Sequence, residues 1–597
     1  MTAHETHRKT QTMSQSDTAP ARRTPPTFVP RAFTASWMLG CGVFLLAPLS
    51  AAKAGDEQTQ PAHTHKAGLS RHVPRHALTQ PRPHATTARS TQPQAPSAHR
   101  TLDAKSVENL EVSATGGLSV LNPGTRAHST ASVSIVTGEQ LTATGQTNVL
   151  QALGQISPAI TVPTQGGLGG SALVQTMSLR GLSSDDTLIL VNGHRRHIGA
   201  NFNVNAGPNW GTDPADISQI PISAIDHIEV ITEGASALYG QDAIAGAVNI
   251  VLKRGTSKGN VTFQNSGYYA GDGQALDGYA NYGFALGHNG GYLNLAAQVV
   301  HQLPTNRSGD YIGTLYADPE KNATASKDVQ RSQGIKKATQ ETLSENMEIP
   351  LGQSGFSLYS TTTFGHRISE VAEAYRATVD SLTLTNLYPS GMQPYLAMDE
   401  YDFETDNGIH GRKWGFSWDA YINYGRDNQR YTLKDTDNPS LGAGTTQTRF
   451  YEGASITSEL STGLRASRRI ETGFLPQPIS LSFGGEYRHD DFQMTEGEPN
   501  SWYGYGATDH GGNGPGSVTS QNRDVYEGNV NLDFHVTPKW EWTLGGRAAS
   551  YTNMATVATG SVGTRYNFNK RWAIRANINT GYRPPTLASM YYYYNSV

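Results

Sequence analysis

Side chains that could do chemistry are scattered along this chain rather than grouped. The densest set of potential metal ligands is a series of six histidines: His63, His65, His72, His76, His84 and His99. Their spacing is irregular and no carboxylates accompany them, so composition bias explains them better than a metal site. The sequence has no Walker A loop, G-x-S-x-G elbow, H-E-x-x-H pair or cysteine nucleophile. We therefore predict no catalytic residue, no metal site and no cofactor, in a protein that is not an enzyme.

The single cysteine, Cys41, lies in a segment with the features of an export signal. Residues 37–49 form a short apolar core behind a basic flank, and residues 52–54 supply an A-x-A cleavage pattern. We expect residues 1–54 to be an N-terminal extension and signal peptide that is cleaved near Ala54, which leaves no disulfide in the mature chain. A buried helix and a lipid anchor are the weaker interpretations.

Composition limits how this chain could meet a membrane or another partner. The 597 residues include 63 Gly and 28 Tyr but only 16% charged residues, with a formal net charge of −4. No apolar run reaches the roughly 18 residues of a transmembrane helix, so strands would have to cross a membrane. The near-neutral charge gives no reason to expect nucleic acid as a partner. Residues 55–105, rich in Pro and His, lack apolar periodicity and are predicted to be a disordered linker.

Residues 126–255 have the pattern of a folded α+β domain. The predicted elements are strands over 133–136, 178–181, 187–191, 228–232 and 247–252, a helix over 140–156, a tight turn at 192–193 and a helical turn over 235–239. Gly234, Gly240 and Gly246 lie where the backbone must bend sharply or approach a neighbouring strand.

Two long stretches of this domain carry a family resemblance. SLRGLSSDDTLILVNGHR and DISQIPISAIDHIEVITEGASALYGQDAIAGAVNIVLKR resemble the plug domain of TonB-dependent outer-membrane receptors. An ordered series of this length is highly specific, whereas a single Asn-Gly turn would mean little. The resemblance implies a plug inside a transmembrane β-barrel of the cell outer membrane.

A segment ahead of the plug, residues 106–116, resembles the family's TonB box. Its central residues are Leu110, Glu111, Val112, Ser113 and Ala114. An extended segment on a tether can add as a strand to the sheet edge of a partner, here the periplasmic protein TonB. A plain linker is the competing interpretation. The resemblance implies that the TonB–ExbB–ExbD complex supplies work from the proton-motive force.

Residues 256–597 alternate between apolar and polar side chains with a period of two. WGFSWDAYINYG at 414–425 and VNLDFHVTPKWEWTL at 530–544 show the pattern. A soluble β-sandwich would also alternate. Aromatic residues near strand ends, and connections that alternate between short and long, favour an outer-membrane barrel instead. The predicted long connections are 304–340, 369–396 and 493–521.

This half has room for about 13 strands of ordinary length, whereas plugged outer-membrane transporters have about 22. GYRPPTLASMYYYYNSV also resembles a segment that family members carry inside the barrel, well before their own ends. We therefore predict a mainly β fold, with a partial transmembrane antiparallel β-barrel over 256–597 and an N-terminal α+β plug over 126–255. We also expect the reading frame to be truncated or shifted, in which case the ring does not close.

The implied function is import of a scarce, bulky nutrient, most often a ferric siderophore. Cobalamin, haem or an oligosaccharide are alternatives, as is a non-functional receptor fragment. The ligand-binding candidates, from plug loops at 164–176 and 199–214, are Phe202, Asn203, Asn205, Asn209 and Trp210. Aromatic rings could stack on a flat ligand, but packing against the barrel wall is an equal alternative. Outer-membrane lipid surrounds the barrel, and we expect a monomer.

Other plug residues are predicted to seat the plug in the barrel: Arg180, Gly181, Glu229, Glu233, Gly234, Gly240 and Gly246. The three charged side chains are expected to be interior and paired, because buried charges need partners.

Two rival classes of protein are less consistent with the sequence. A signal-transducing receptor would carry a folded module before the TonB box, and residues 55–105 are too poor in apolar residues to form one. A secreted β-adhesin would share the alternation but has no reason to contain the series at 178–253.

Overall fold

The computed structural model describes residues 132–597, apart from 164–168, 205–208, 233–238, 256–257, 570 and 594–597. Two β-sheets account for most of its regular structure, one of five strands and one of 13 strands. The prediction of a mainly β fold with an α+β plug and a partial antiparallel barrel is confirmed.

The five-stranded sheet is the centre of the plug, in the order β1-β6-β7-β4-β5. Its strands are β1 Val133–Thr137, β4 Thr187–Val191, β5 His194–Arg195, β6 Ile225–Ile231 and β7 Gly246–Leu252, and a separate pair is formed by β2 Ile160–Thr161 and β3 Ser178–Leu179. Neighbours in the five-stranded sheet are antiparallel except for β4 and β7, which are parallel. All five residues of β4 are buried, as expected for a strand covered on both faces.

The predicted single helix over 140–156 is wrong, because the structure has two helices there. They are α1 Gly138–Ala143 and α2 Val149–Ile156. Gly145 adopts a φ of 71° between them, and a left-handed residue ends a helix. Asn148 then caps α2 by accepting a hydrogen bond from Leu150 N. The apolar periodicity was sound, since Leu141 and Leu153 are fully buried, but one apolar stripe is compatible with either arrangement.

A two-residue turn joins β4 to β5 and positions the residues that follow it. Asn192 and Gly193 have φ values of 50° and 89°, the combination that matches the twist of a tight hairpin. Val191 pairs with His194 across the turn. The predicted turn is therefore confirmed, and it projects His194 and its successors toward the large sheet.

The 13-stranded sheet runs in chain order from β8 to β20, with every neighbouring pair antiparallel. Its strands are β8 Gly259–Ser266, β9 Ala275–Leu286, β10 Gly291–Gln302, β11 Lys337–Pro350, β12 Phe356–Ala372, β13 Tyr395–Lys413, β14 Phe416–Lys434, β15 Arg449–Ile470, β16 Ile479–Met494, β17 Thr519–Thr537, β18 Trp540–Tyr551, β19 Met554–Asn567 and β20 Ala573–Asn579. Among the described residues β8 and β20 are the two edges and do not pair with each other, so the barrel is not closed.

The side chains of this sheet are arranged opposite to those of a soluble sheet. Polar residues such as Asp419 and Asn423 of β14 face inward and are 1% and 5% exposed, whereas Ile422 between them is 51% exposed. Phe263 of β8 and Ile368 of β12 also point outward and are exposed. Apolar residues outside and polar residues inside are the pattern of a barrel in lipid.

Long loops lie at one end of the 13-stranded sheet, here called the outer end, and short turns lie at the inner end. The long loops are 303–336, 373–394, 435–448 and 495–518. The inner turns are 287–290, 351–355, 414–415, 471–478, 538–539 and 568–572. This alternation agrees with the expected difference between extracellular loops and periplasmic turns.

The remaining regular elements are short. Two helices lie in long loops, α3 Pro319–Thr324 and α4 Pro499–Trp502, and α5 Leu587–Tyr591 follows the last strand. Single 3₁₀ turns are Gly169–Ala172, Ser184–Asp186, Ile217–Gln219, Ile222–Ala224, Pro439–Leu441 and Pro515–Ser517. Within the described parts of the chain, none of the helices is long and apolar enough to span a membrane.

Candidate functional site

A row of four carboxylates faces inward from β13. They occupy every second position of the strand, which puts them on one face: Glu400, Asp402, Glu404 and Asp406. All four are at most 5% exposed. Buried carboxylates need cations or hydrogen-bond donors, and the plug supplies them.

Arg196, just after the β4–β5 turn, lies at the centre of this row. Its Nη2 is 2.8 Å from Asp402 Oδ1 and its Nη1 is 2.7 Å from Glu404 Oε2. Its Nε donates to the backbone carbonyl of Asp216 at 3.0 Å. The guanidinium therefore bridges two barrel carboxylates while it remains tied to the plug, a use that suits its planar set of donors.

Two histidines flank Arg196 in the same turn. His194 Nδ1 is 2.5 Å from Asp406 Oδ2, and His197 Nε2 is 3.4 Å from Asp402 Oδ2. Burial alone would lower the pKa of His194, but Asp406 and Asp419 raise it to about 9. The pKa of His197 is likewise raised to about 9, because Asp402 outweighs its burial. Both imidazoles are therefore cations at neutral pH.

A second group of ion pairs between plug and barrel involves Arg367 of β12, the strand next to β13. Arg367 of β12 is 2% exposed and pairs with Asp216 of the plug at 2.9 Å and with Glu400 at 2.5 Å. Gln219 of the plug donates to Glu400 Oε2 at 2.7 Å. Plug and barrel therefore share a buried polar network at β12 and β13, in addition to the apolar contacts that Leu173 and Phe202 of the plug make with the barrel. A buried polar network favours a fixed seat at modest net stability.

The chain after β20 turns inward and lies against the plug. We call residues 581–593 the inward strap. Arg583 Nη2 lies 2.6 Å from Asp185 Oδ2 and 3.4 Å from Asp213 Oδ1. Burial raises the pKa of Asp185 to about 7 even with Arg583 beside it. Arg523 of β17 donates to the Pro585 carbonyl at 2.8 Å, which fastens the strap to the barrel wall.

The ligand-binding candidates occupy different environments. Phe202 is half-buried in an apolar cluster with Phe492 and Leu587, and its ring centroid is 5.3 Å from that of Tyr592. Trp210, by contrast, is 70% exposed. Phe202 therefore packs against the barrel and the strap, whereas Trp210 is available to a ligand.

The asparagine candidates hold the plug loop together. Asn203 is 1% exposed, and its Nδ2 donates to the Thr212 carbonyl at 3.0 Å. The Asn209 carbonyl accepts from Thr212 Oγ1 at 2.6 Å. Asn205 lies outside the described residues. A ligand-contact role for these three side chains stays a prediction.

The two charged seating candidates that the structure describes, Arg180 and Glu229, make their hydrogen bonds within the plug and not with the β13 row. Glu229 is 6% exposed and accepts a hydrogen bond from Asn249 at 2.9 Å. Arg180 is exposed, contrary to the interior position we expected, and donates to the Thr232 carbonyl of the plug at 2.7 Å. It lies in the turn after β3, where its φ is 59°. The seating role of both residues stays a prediction.

The glycine candidates differ in how closely they are packed. A Cβ at Gly246 would lie 2.1 Å from the Ile231 carbonyl oxygen, and its φ is 142°. A Cβ at Gly240 would meet Arg547 of the barrel at 3.8 Å, whereas Gly181 has open space. Gly246 thus allows β6 and β7 to approach.

Three groups of predicted residues lie outside the described residues. They are the predicted segments ahead of the plug, namely the signal peptide at 1–54, the linker at 55–105 and the TonB box at 106–116; the pair Glu233 and Gly234; and residues 235–238 of the helical turn predicted over 235–239. Their roles stay predictions.

The sequence reasoning missed the residues that the structure brings together. The available signals were His194-Arg195-Arg196-His197 beside an apolar strand, and carboxylates at every second position of residues 400–406. Either pattern alone is also found on solvated surfaces. Only their burial identifies them as complementary.

Comparison with known families agrees with this architecture. The family model of the TonB-dependent receptor plug domain matches residues 125–247, and the model of the TonB-dependent receptor-like β-barrel matches residues 350–597. The iron-regulated outer membrane virulence protein of Vibrio cholerae is 24% identical over 491 residues, which cover 81% of this chain and 61% of that protein. The chain thus spans less than two thirds of the length of this relative.

Solved structures show the same fold. A mutant of the ferric enterobactin receptor of Pseudomonas aeruginosa superposes with a TM-score of 0.55 at 17% identity, over 76% of this chain and 62% of that one. The siderophore receptor of Acinetobacter baumannii gives a TM-score of 0.54 at 16% identity, over 76% and 61%. With plug and barrel matched in chain order, the chain belongs to the TonB-dependent receptors, an outer-membrane family whose members are not enzymes.

Proposed function

We propose that this protein imports a ferric siderophore across the outer membrane and that TonB drives the import. The observation that carries the proposal is the buried network between Arg196 and the β13 carboxylates, which holds a plug inside a lumen below long outer loops. Relatives named for iron regulation and siderophore binding support the cargo. Export by a signal peptide cleaved near Ala54, and action as a monomer, belong to the same proposal.

The polar seat suits a plug that must move and return. When the plug moves, its hydrogen bonds and ion pairs with the barrel can be replaced by hydrogen bonds with water at a small net cost in free energy. Separation of an apolar contact would instead expose apolar surface to water, which is unfavourable. The plug's own core is apolar, with Leu179 and Ile250 fully buried. Force applied through residues 110–114 would therefore disturb the seat before it unfolds the core, as expected of a local unfolding unit.

The candidate residues have distinct roles in this scheme. Trp210 contacts the ligand, while Asn203 holds the shape of the loop that carries this ring. Glu229 and the three glycines Gly181, Gly240 and Gly246 keep the shape of the plug that fits the lumen. Outward motion of the ligand is blocked by the loops, and inward motion follows plug displacement.

Uptake of radiolabelled ferric siderophores by a host that lacks its own receptors tests the proposal. We expect accumulation that requires the gene, a functional TonB and the proton-motive force. Leu110→Pro, which prevents strand addition, should abolish uptake while ligand binding at the cell surface persists. Leu102→Pro, in the preceding linker, is the matched control and should transport normally. Accumulation that is unchanged without TonB would contradict the mechanism. Uptake of cobalamin, haem or an oligosaccharide, without uptake of any ferric siderophore, would show that the proposed cargo is wrong.

A further inference from the structure

Three of the long outer loops are joined into one assembly. We call residues 373–394, 435–448 and 495–518 the acidic cap. Asp437 links all three, because its Oδ2 accepts from Leu384 N at 2.7 Å and its carbonyl accepts from Thr508 N at 2.8 Å. Plug residue Leu173 packs beneath the cap in an apolar cluster that includes Ala507. The cap thus lies directly above the plug.

The acidic cap carries an excess of negative charge. Its carboxylates are Glu373, Asp380, Asp435, Asp437, Glu496, Glu498 and Asp509. Its single arginine, Arg376, is already paired with Asp380 at 3.0 Å and with Asp509. Its single histidine, His510, lies 2.6 Å from Glu452 of β15. The cations of the cap therefore have anionic partners within the protein.

The remaining long loop offers no compensating basic patch. Its basic side chains are each engaged within the protein: Arg307 with Asp272 at 2.9 Å, Lys321 over the Tyr316 ring at 3.8 Å, Lys327 with the Gly313 carbonyl at 2.9 Å, Arg331 with Asp328 at 2.6 Å, and Lys336 with the Leu173 carbonyl. Within this loop, an anionic ligand would have to compete with these contacts for a cation.

The described plug residues around Leu173 and Trp210 are uncharged. Residues 169–177, 198–204 and 209–212 contain no Asp, Glu, Lys or Arg. Trp210 is their most exposed large side chain among the described residues. The ligand would therefore lie between a neutral aromatic and amide surface below and an acidic wall above.

Glu373, the first residue of the cap, has a side-chain oxygen without a hydrogen-bond partner among the described residues. Glu373 follows β12 in the same alternation as Arg367 and Val371, so its side chain faces the lumen. It is 7% exposed, and its Oε1 has no hydrogen-bond partner in the described structure. A buried acceptor that lacks a hydrogen-bond partner within the protein can accept a hydrogen bond from a donor on a ligand.

Resting on the transport function proposed above, we propose that the acidic cap selects ferric complexes that are neutral or positively charged and rejects strongly anionic ones. Ferric trihydroxamates fit this class, particularly one with a free amine that reaches Glu373. Ferric tris-catecholates do not, because their negative charges would approach the like charges of the cap and be repelled.

Binding to the purified full chain in detergent tests this selection by quenching of tryptophan fluorescence. The probes are ferrioxamine B, which is cationic, ferrichrome, which is neutral, and ferric enterobactin, which is strongly anionic. We expect the first two to bind at least about tenfold more tightly than the third at low salt, and the gap to narrow as salt screens the charges. Equal or tighter binding of ferric enterobactin would overturn the inference. Binding of none of the three would overturn the proposed cargo, and the inference with it.

A charge reversal locates the selection in the cap. Glu496 is exposed and forms no ion pair in the structure, so Glu496→Lys should not disturb the fold. We expect this substitution to weaken the binding of ferrioxamine B about threefold relative to that of ferrichrome, and to strengthen the binding of ferric enterobactin. Glu471→Lys, in the inner turn 471–478, makes the same charge change at the other end of the sheet and should alter neither. Identical effects of the two substitutions would show that net charge alone, and not the cap, is responsible.

Discussion

Arg196 Nη2 in the plug lies 2.8 Å from Asp402 Oδ1 in the barrel wall. The arginine is fixed by the turn between two plug strands, and the aspartate is fixed by the alternation of β13. The two side chains are 0% and 2% exposed, so water cannot replace either partner while the plug is seated. Loss of one partner while the plug is seated would therefore leave the other charge buried and unpaired, which is costly.

Removal of the Arg196 cation alone should loosen the plug more than removal of Arg196 together with the charges of Asp402 and Glu404. Arg196→Met leaves the two acids Asp402 and Glu404 buried without their cation, and we expect a loss of about 3–5 kcal/mol in the free energy of plug opening. Hydrogen exchange of plug peptides measures this loss, with the barrel strands as an internal reference. The triple variant that adds Asp402→Asn and Glu404→Gln should recover much of the protection. No difference between the single and triple variants would contradict the pairing argument.

Plug seating should weaken at alkaline pH. The pKa values of His194 and His197 are both raised from 6.5 to about 9, so the folded state holds protons that the unfolded state releases. This stabilisation is fully present below pH 6.5 and is lost as pH rises through 9.

Exchange protection of plug peptides, corrected for the intrinsic rate at each pH, measures the effect. We expect protection to decline between pH 6.5 and 9 in the plug but not in the barrel strands. His194→Gln, which has no charge to lose, should flatten the decline. A slope that is the same in that variant would assign the pH effect to other groups.

The two plug glycines Gly246 and Gly181 should respond differently to alanine. At Gly246 the new Cβ would lie 2.1 Å from the Ile231 carbonyl oxygen, and the backbone φ is 142°. We expect Gly246→Ala to destabilise the plug by about 3 kcal/mol or more. Gly181 has a φ of 74° with open space around it, so Gly181→Ala should cost only about 1 kcal/mol. Thermal or denaturant opening of the plug distinguishes the two, and equal losses would be inconsistent with the close approach of β6 and β7.

The alternation of apolar and polar side chains made the strands predictable from the sequence, but not the residues that the plug and barrel would bring into contact. β14 and the inner turn at 538–539 follow from local alternation and turn chemistry. The break of the predicted helix at Gly145 did not follow, because two short helices share one apolar stripe. The pairing of Arg196 with Asp402 joins residues 206 positions apart. No local signal says which strand of the barrel faces that turn, so the seat of the plug required the tertiary structure.

The inward strap should contribute to plug seating through one arginine. Arg583 is the cation next to two buried acids, Asp185 and Asp213, so Arg583→Gln should reduce protection of the plug peptides that contain them. Burial raises the pKa of Asp185 to about 7, and loss of the arginine would raise it further. The variant should therefore lose most stability above pH 7, where Asp185 would otherwise ionise. Arg571→Gln, in the inner turn 568–572, is the matched control, and an equal effect there would argue against the strap.

Two aromatic residues of the same plug loop should separate stability from binding. Phe202 packs against Tyr592 with ring centroids 5.3 Å apart, so Phe202→Ala should destabilise the loop by about 2 kcal/mol. Trp210 is 70% exposed, so Trp210→Ala should leave exchange protection unchanged and weaken ligand binding about tenfold, as loss of one stacking surface does. Calorimetric titration with a ferric complex that the protein binds measures the affinity, and hydrogen exchange on the same preparations measures the stability of the loop. If Phe202→Ala weakened binding with no change in protection, the ring would contact the ligand directly and its packing against the strap would be incidental.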